Sequence, residues 1–314
     1  MLFFYLALGI LGLWIGAELA IRASIELSDR FKISRVFFGL TILAFGTDLP
    51  EFVVGINAAI QRLQGVETSG LVLGETLGTV MSQMGLMMGV AGFLGVTVIR
   101  KKLLLRDGIV MCTSILLLFL FALNGTLSRP EGLVMIILYG LYLLLLVREE
   151  GFVKKVRTAT QVNIGWSIVS IIGGFILLIW ASSLTISTAL EISVQLGVST
   201  SIIGALLVGM GTSLPELATT LSAFRRKSAE MAVSGLIGSN IIDILLTTGV
   251  ATIISTFVVE KRLLMFDFPY LFIASLVILI MIYSRGKLSK HEALICAGLY
   301  GAYYVSLILF AIQG

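Results

Sequence analysis

The sequence has little of the chemistry on which most enzymes and small secreted domains depend. Two cysteines and one histidine occur in 314 residues. Cys112 and Cys296 both lie in apolar stretches, so neither a disulfide framework nor a cysteine metal site is expected, and His291 alone cannot form one. No H-E-x-x-H, phosphate-binding-loop or G-x-S-x-G pattern occurs in a suitable context. These absences argue against an enzyme, and we expect neither catalytic residues nor a bound cofactor.

Charge is also scarce. Only 13% of the residues are charged, 58% are hydrophobic, and the mean hydropathy is +1.06. Because a helix needs about 20 apolar residues to cross a bilayer, this composition predicts an all-α polytopic membrane protein whose surroundings are lipid. Ten segments meet that requirement: 2–22, 35–60, 70–98, 105–124, 132–147, 164–190, 198–224, 229–258, 266–284 and 292–312.

The placement of the basic residues predicts the topology. The loops that follow odd-numbered spans hold 18 of the 22 lysines and arginines. The other four are Arg62, Arg129, Lys261 and Arg262. Because basic residues concentrate in cytoplasmic loops, we expect both termini outside the cell. The bias makes a nucleic-acid partner unnecessary as an explanation of the positive net charge.

Proline is rare, with four in the chain, and two of the four lie in two copies of one motif. G-T-x-L-P-E occurs at 46–51 and again at 211–216, and each copy puts a glutamate at mid-membrane depth. A proline cannot donate to the carbonyl four residues earlier, so we expect the helices to unwind or kink around Ala44–Thr47 and Gly209–Thr212. Carbonyls freed in this way persist in a membrane only when they are buried in protein or line a water-filled cavity.

The motif brings together the oxygen ligands that a hard cation prefers. Thr47 and Glu51 are four residues apart, as are Thr212 and Glu216, and residues at that spacing share a helix face. Carbonyl, hydroxyl and carboxylate oxygens bind Ca²⁺ or Na⁺. The alternative is a packing kink with neutral, hydrogen-bonded glutamates, but paired carboxylates inside a membrane usually mark an ion path.

A second motif follows the first in each half of the chain. G-T-V-M-S-Q at 78–83 corresponds to G-S-N-I-I-D at 238–243. Ser239 and Asp243 share a helix face and could complete a site with Glu216. The matching stripe in the first half is Glu75, Thr79 and Gln83. Gly74 and Gly78, at four-residue spacing, favour close helix packing.

These correspondences divide the chain into two five-helix repeats. The first covers 1–147 and the second 162–314, and residues 148–161 form a cytoplasmic linker. Because five is odd, the halves insert in opposite orientations. Inverted repeats whose broken helices meet at the midplane are typical of secondary transporters.

On these motifs the chain resembles the cation/Ca²⁺ antiporter superfamily, and the prokaryotic Na⁺/Ca²⁺ exchangers most of all. The family's two repeat motifs correspond to 41–89 and 206–249. The resemblance implies a central Ca²⁺ site that uses Glu51 and Glu216 with Thr47 and Thr212. It also implies flanking Na⁺ sites and two polar central positions, formed by the carbonyls of Ala44 and Gly209, by Ser213, Ser239 and Thr79, and by Asp243 and Gln83.

The first repeat departs from the family pattern. Asp48 stands where the family usually has serine, Gln83 where asparagine or aspartate is common, Val80 where asparagine is retained at Asn240, and Glu75 where an amide or small polar residue is usual. Asp48 is therefore a candidate cation ligand beside Glu51 and Glu216, and Asp48 and Glu75 are candidate proton-binding groups.

The resemblance implies that Na⁺ entering down its gradient drives Ca²⁺ out by alternating access. Exchange of Ca²⁺ or another divalent cation for protons by the same fold stays open, and a cation channel is a more distant alternative. We expect an integral protein of a prokaryotic plasma membrane, in which a monomer is sufficient for transport.

Overall fold

The computed structural model describes residues 1–30, 44–95, 97–98, 101–150, 164–214, 216–217, 220–221 and 229–313. Most of the predicted linker, the start of the first repeat motif at Thr41 and the second motif's Pro215 lie outside these residues. The α-helices are α1 (Leu2–Arg30), α2 (Ala44–Thr47), α3 (Leu49–Leu63), α4 (Ser69–Met81), α5 (Met88–Leu94), α6 (Lys101–Ala122), α7 (Arg129–Glu150), α8 (Ile164–Leu196), α9 (Thr200–Ile203), α10 (Met210–Thr212), α11 (Ala229–Ile241), α12 (Thr248–Ile254), α13 (Phe268–Arg285) and α14 (Lys290–Gln313).

Four π-helical segments adjoin these helices. They are Ser82–Met87 between α4 and α5, Gly204–Gly209 between α9 and α10, Ile242–Thr247 between α11 and α12, and Leu263–Asp267 before α13. A π segment carries a local change in backbone pairing, and such segments are frequent at functional sites. The segments that begin at Ser82 and Ile242 occupy corresponding places, 160 residues apart.

Seven helices within the described residues are long and apolar enough to cross a membrane. They are Ser69–Leu94, Leu104–Ala122, Arg129–Arg148, Gly165–Leu196, Gly235–Ile254, Leu263–Arg285 and Lys290–Ile312. Leu2–Gly16 and Thr200–Thr212 are shorter apolar helices. The polytopic helical class is confirmed, while the count of ten spans stays a prediction.

The helix break lies later in the motif than the sequence predicted. Residues 44–47 and 210–212 are α-helical, so the expected unwinding is wrong for those residues, although Gly209 ends a π segment; the other expectation, a kink, agrees with a turn directly after each range. The chain turns at Asp48 and at Ser213 instead. Pro50 then falls in the first turn of α3, where its missing N–H has no helical partner to lose. The proline thus starts a new helix and does not unwind the one before it.

Backbone-to-backbone packing joins α4 to the segment 200–209. A Cβ atom at Gly74 would lie 2.0 Å from the Ser201 carbonyl oxygen, and one at Gly78 would lie 2.5 Å from Ala205 Cα. The close packing predicted for this pair of glycines is confirmed. It places the two halves of the chain in direct contact at the depth of the motifs.

The long helices α1 and α8 pack along each other in the same manner. A Cβ atom at Gly12 would lie 2.8 Å from Ala181 Cβ, and one at Gly16 would lie 2.9 Å from the Gly174 carbonyl oxygen. Asn57 of α3 reaches this pair through hydrogen bonds from its amide to Ser182 Oγ at 3.2 Å and Ser183 Oγ at 2.9 Å.

Two small antiparallel pairings connect the halves at the helix ends. The strands are β1 (Thr97–Val98), β2 (Thr126–Leu127), β3 (Phe257–Val258) and β4 (Lys287–Leu288). β1 pairs with β4, and β2 pairs with β3. Since β3 follows β1 by 160 residues and β4 follows β2 by 161, each pairing is the counterpart of the other.

Polar contacts repeat with the same offset. The Tyr142 hydroxyl donates to Asp107 at 3.2 Å, and the Tyr303 hydroxyl donates to Asp267 at 2.7 Å. α7 and α14 also begin alike, each with an S-x-x-E capping box. Glu131 accepts from the Ser128 amide at 2.6 Å, and Glu292 accepts from the Ser289 amide at 2.9 Å.

Candidate cation-binding site

Five buried carboxyl groups lie at the centre of the helix bundle. None is more than 2% exposed, and they belong to Asp48, Glu51, Glu75, Glu216 and Asp243. They are near enough to act on one another electrostatically: Glu216 with Glu51, Asp48 and Asp243, and Asp243 with Glu75. Burying carboxylates is costly unless an opposite charge compensates them. A group of this kind therefore suits cations as its occupants.

The carbonyl of Gly209 is a point where three hydroxyls converge. It accepts from Ser213 Oγ at 2.7 Å, from Thr79 Oγ1 at 3.2 Å and from Thr212 Oγ1 at 3.4 Å. Gly209 has no room for a side chain, because a Cβ atom there would lie 2.7 Å from the Glu75 carbonyl oxygen. The structure thus gathers one carbonyl and three hydroxyl oxygens beside the carboxyl groups.

The two G-T-x-L-P-E motifs contact each other across the halves. Ser213 Oγ of the second motif lies 3.3 Å from Glu51 Oε1 of the first, and Thr212 is also close to that carboxyl group. The four-residue spacing predicted that Thr212 shares a helix face with Glu216 of its own motif. The turn at Ser213 interrupts that helix, and Thr212 is brought to Glu51 of the other half.

The second pair of motifs joins the same centre. Gln83 Nε2 lies 3.4 Å from Asp243 Oδ2, and Ser239 lies close to Asp48. Both Gln83 and Asp243 stand in the π segments that interrupt their helices. The remaining predicted residues are Thr47, which is buried beside the turn at Asp48, and Ala44, which begins α2.

Several buried oxygen atoms of the site have no hydrogen-bond partner within the described part of the chain. They include Glu51 Oε2, Glu75 Oε1, Gln83 Oε1, Asp243 Oδ1 and Asn240 Oδ1. Buried polar atoms are nearly always paired, so buried oxygens of this kind fit the ligand set of a cation. No three His, Cys, Asp or Glu side chains among those described are placed to hold a metal ion. A bound cation would therefore need the neighbouring hydroxyl and carbonyl oxygens as well.

The residue patterns overlooked several polar groups around this centre. Asn57 lies six residues after Glu51, Ser182 and Ser183 are neighbours in an otherwise apolar helix, and the Tyr304 hydroxyl lies 3.1 Å from the Leu206 carbonyl oxygen. A search for every amide, paired serine and tyrosine inside a predicted span would have marked them. Only the fold reveals which of them face the motifs.

A helical membrane protein with buried carboxyl groups on two interrupted helices is of the class that moves cations. The sequence comparison specifies it further: the family model described as sodium/calcium exchanger protein matches residues 1–148 and 166–309. The chain belongs to the sodium/calcium exchanger family, within the cation/Ca²⁺ antiporter superfamily.

Relatives cover nearly the whole chain. The sodium/calcium exchanger MaX1 of Methanosarcina acetivorans is 29% identical and covers 97% of this chain and 98% of its own. The putative antiporter CaxA of Alkalimonas amylolytica is 29% identical, with coverage of 90% and 89%. A solved structure of the sodium-calcium exchanger NCX_Mj, soaked with 100 mM Na⁺ and 10 mM Sr²⁺, superposes with a TM-score of 0.68 at 26% identity, with coverage of 98% and 99%.

Proposed function

We propose that this protein is a secondary active antiporter that exchanges Na⁺ for Ca²⁺ across a membrane by alternating access. The observation that carries the proposal is the crossed contact of the two motifs, with Glu51 of one half against Ser213 of the other at 3.3 Å. Two carboxylates give a divalent cation its counter-charge, and the adjoining hydroxyls and carbonyl suit Na⁺. The names of MaX1 and NCX_Mj support the same pair of cations.

In this proposal Glu51 and Glu216 hold Ca²⁺ with Thr47 and Thr212. The Na⁺ ligands are the carbonyls of Ala44 and Gly209, with Ser213, Ser239 and Thr79, and Asp243 and Gln83 fill the two central polar positions. Crowded carboxylates repel one another when no cation is bound. A bound cation therefore stabilises the arrangement in which the two motifs are in contact. Ca²⁺ and Na⁺ compete because the Na⁺ ligands adjoin the two glutamates, whose negative charge attracts both cations.

The architecture we propose is ten spans in two inverted halves, 1–147 and 162–314, joined by a cytoplasmic linker at 148–161. It is supported by contacts between loops that are both even-numbered or both odd-numbered, because such loops lie on the same side of the membrane. On one face Arg62 donates to the Thr256 carbonyl at 2.6 Å, Arg129 donates to the Ile254 carbonyl at 3.1 Å, and β2 pairs with β3. On the other face β1 pairs with β4, and Lys101 lies 5.3 Å from the centroid of the Tyr283 ring.

We propose that the β1–β4 face is cytoplasmic and that both termini are outside, and the excess of basic residues in the odd-numbered loops supports this orientation. We further propose that the protein works in a prokaryotic plasma membrane and that one chain suffices for transport.

The decisive experiment is ⁴⁵Ca²⁺ uptake by liposomes that contain the purified protein. Uptake is measured with an outward Na⁺ gradient and then with an outward proton gradient, and Glu216→Gln serves as the inactive control. We expect Na⁺-driven uptake that Glu216→Gln abolishes. Uptake that only the proton gradient drives would refute Na⁺ coupling.

Exchange of Ca²⁺ or another divalent cation for protons is the second candidate. The observation that favours it is Asp48, a fully buried carboxyl group close to Ser239 and Glu216 at the position where the second motif has Ser213. Glu75 adds a further buried carboxyl group, which the second half of the chain lacks at the corresponding position. If Asp48→Ser leaves the pH dependence and the ion coupling of uptake unchanged, Asp48 is not a proton-coupling residue.

A cation channel is the distant alternative, since acidic side chains also line open cation pores. The candidate site is buried, which favours alternating access over a continuous pore. Ca²⁺ flux that persists in liposomes without any counter-ion gradient would support the channel.

A further inference from the structure

We propose that Tyr304 is a positioning residue that holds the Gly209 carbonyl in the orientation needed to bind Na⁺. This inference rests on the proposed function, because it assigns a supporting residue to one of the Na⁺ ligands. Tyr304 lies on α14, outside both repeat motifs, and belongs to none of the predicted ligand sets.

The first step of the argument concerns the backbone. Gly209 ends the π segment Gly204–Gly209, where the change in helical pairing loosens the hold on individual carbonyls. The Tyr304 hydroxyl donates to the Leu206 carbonyl at 3.1 Å and lies 3.4 Å from that of Ala205. Leu206 is about one helical turn before Gly209. A contact there limits how far the segment can rotate.

The second step is that α4 holds the segment at its two ends. Its two end glycines press against α4, since a Cβ atom at Gly204 would lie 2.5 Å from the Leu71 carbonyl oxygen and one at Gly209 would lie 2.7 Å from that of Glu75. This packing fixes the distance between the helices, and Thr79 of α4 donates to the carbonyl at the end of the segment, that of Gly209, at 3.2 Å. The Tyr304 hydroxyl from α14 bonds the middle of the segment, at the Leu206 carbonyl.

The third step is that Tyr304 is itself rigidly placed. Its ring centroid lies 4.4 Å from that of Tyr300, four residues earlier on the same face of α14. The Tyr304 hydroxyl is also close to the hydroxyls of Tyr300 and Ser82. Because Ser82 precedes Gln83 at the start of its π segment, Tyr304 connects the π segments of both halves.

The contact is asymmetric between the halves. The capping boxes of the two halves are 161 residues apart. At the same offset the position that corresponds to Tyr304 is Leu143, which carries no hydroxyl group. Removal of the Tyr304 hydroxyl should therefore act mainly on the Na⁺ ligand of the second motif, the Gly209 carbonyl. The expected signature is a change in the half-saturating Na⁺ concentration with little change for Ca²⁺, whose principal ligands are the glutamates.

The test compares Tyr304→Phe with Tyr270→Phe. Tyr270 is a matched control because its hydroxyl also donates to a backbone carbonyl at 2.7 Å, that of Leu299 on α14, which is outside the segment 204–209. Na⁺ and Ca²⁺ dependence of ⁴⁵Ca²⁺ exchange in liposomes is the first readout. Amide hydrogen exchange across 204–212 in the purified protein is the second, and it requires no transport.

We expect Tyr304→Phe to raise the half-saturating Na⁺ concentration about three- to tenfold, the worth of one hydrogen bond, and to shift that of Ca²⁺ less than about twofold. Exchange across 204–212 should become faster in Tyr304→Phe and stay unchanged in Tyr270→Phe. Equal shifts for both cations, unchanged amide exchange, or the same changes in Tyr270→Phe would overturn the positioning role. A wild-type protein without Na⁺-driven uptake would instead refute the proposed function, and unchanged amide exchange in Tyr304→Phe would still reject the contact on its own.

Discussion

Asp48 and Ser213 occupy the same position in two copies of one motif, and their backbones have nearly the same conformation. The torsion angles are φ −79° and ψ 2° at Asp48, and φ −79° and ψ 8° at Ser213. Each carbonyl accepts from the amide four residues later, at 2.9 Å from Phe52 and at 3.2 Å from Leu217. The two halves thus share one backbone turn and differ in its side chain, a carboxyl group in one and a hydroxyl in the other.

Replacement of Asp48 by serine should stabilise the cation-free protein. The backbone already accepts serine at the equivalent position, and the change removes one of five crowded, buried carboxyl groups. We expect a gain of about 1–3 kcal/mol in the free energy of unfolding, measured by thermal unfolding in detergent without Na⁺ or Ca²⁺. Asp48→Asn is the shape-matched control. If Asp48→Asn does not stabilise the protein, the buried carboxyl group is not the reason why Asp48→Ser does.

The sequence predicted much of the fold because its signals were strong and local. Long apolar runs identified the seven helices that are confirmed, and the spacing of Gly74 and Gly78 identified a close helix contact. The position of the break was missed because proline was taken as a defect within one helix, whereas Pro50 lies in the first turn of the next. The π segments were missed because their residues have no distinctive composition.

The candidate site was predictable as a set of residues but not as a set of contacts. Repetition of the motif indicated Glu51 and Glu216, and their pairing with threonines at four-residue spacing seemed to follow from helical geometry. Ser213 approaches Glu51 only because the two halves cross, and a distance between elements so far apart in the chain leaves no local pattern. Tyr304 was missed for the same reason.

Alanine at Gly74 should destabilise the protein strongly. Its Cβ atom would overlap the Ser201 carbonyl oxygen, 2.0 Å away on the opposing backbone, so the helices must move apart. Overpacking of this kind typically costs about 1–3 kcal/mol, seen as a lower melting temperature. Gly140→Ala is the control, because no atom lies within 4 Å of its Cβ position and alanine favours a helix. Equal loss in both variants would contradict the close crossing.

The ion pair of Arg262 and Asp267 should show strong coupling in a double-mutant cycle. Arg262 Nη1 lies 2.8 Å and 2.7 Å from the two carboxylate oxygens, and Asp267 is fully buried. Asp267→Asn leaves the arginine without its counter-charge and should cost about 3–5 kcal/mol. Arg262→Met in the same chain should recover part of that loss. Additive losses, measured by thermal unfolding, would mean that the pair is not coupled.

Glu51→Gln should remove the stabilisation that Ca²⁺ gives to the purified protein. A ligand that binds only the folded state at about one hundred times its dissociation constant adds about 2.7 kcal/mol. Glutamine keeps the shape of the side chain and loses its charge, so the fold should persist while Ca²⁺ loses a principal ligand. Glu191→Gln is the matched control, since Glu191 is exposed near the end of α8 and accepts a hydrogen bond from the neighbouring Gln195 amide at 3.3 Å. The measurement is the Ca²⁺-induced rise in melting temperature, which we expect in the wild type and in Glu191→Gln but not in Glu51→Gln. An undiminished rise in Glu51→Gln would show that Ca²⁺ binds elsewhere. A divalent cation bound where the two motifs meet would lose affinity when the negative charge of Glu51, beside Ser213, is removed.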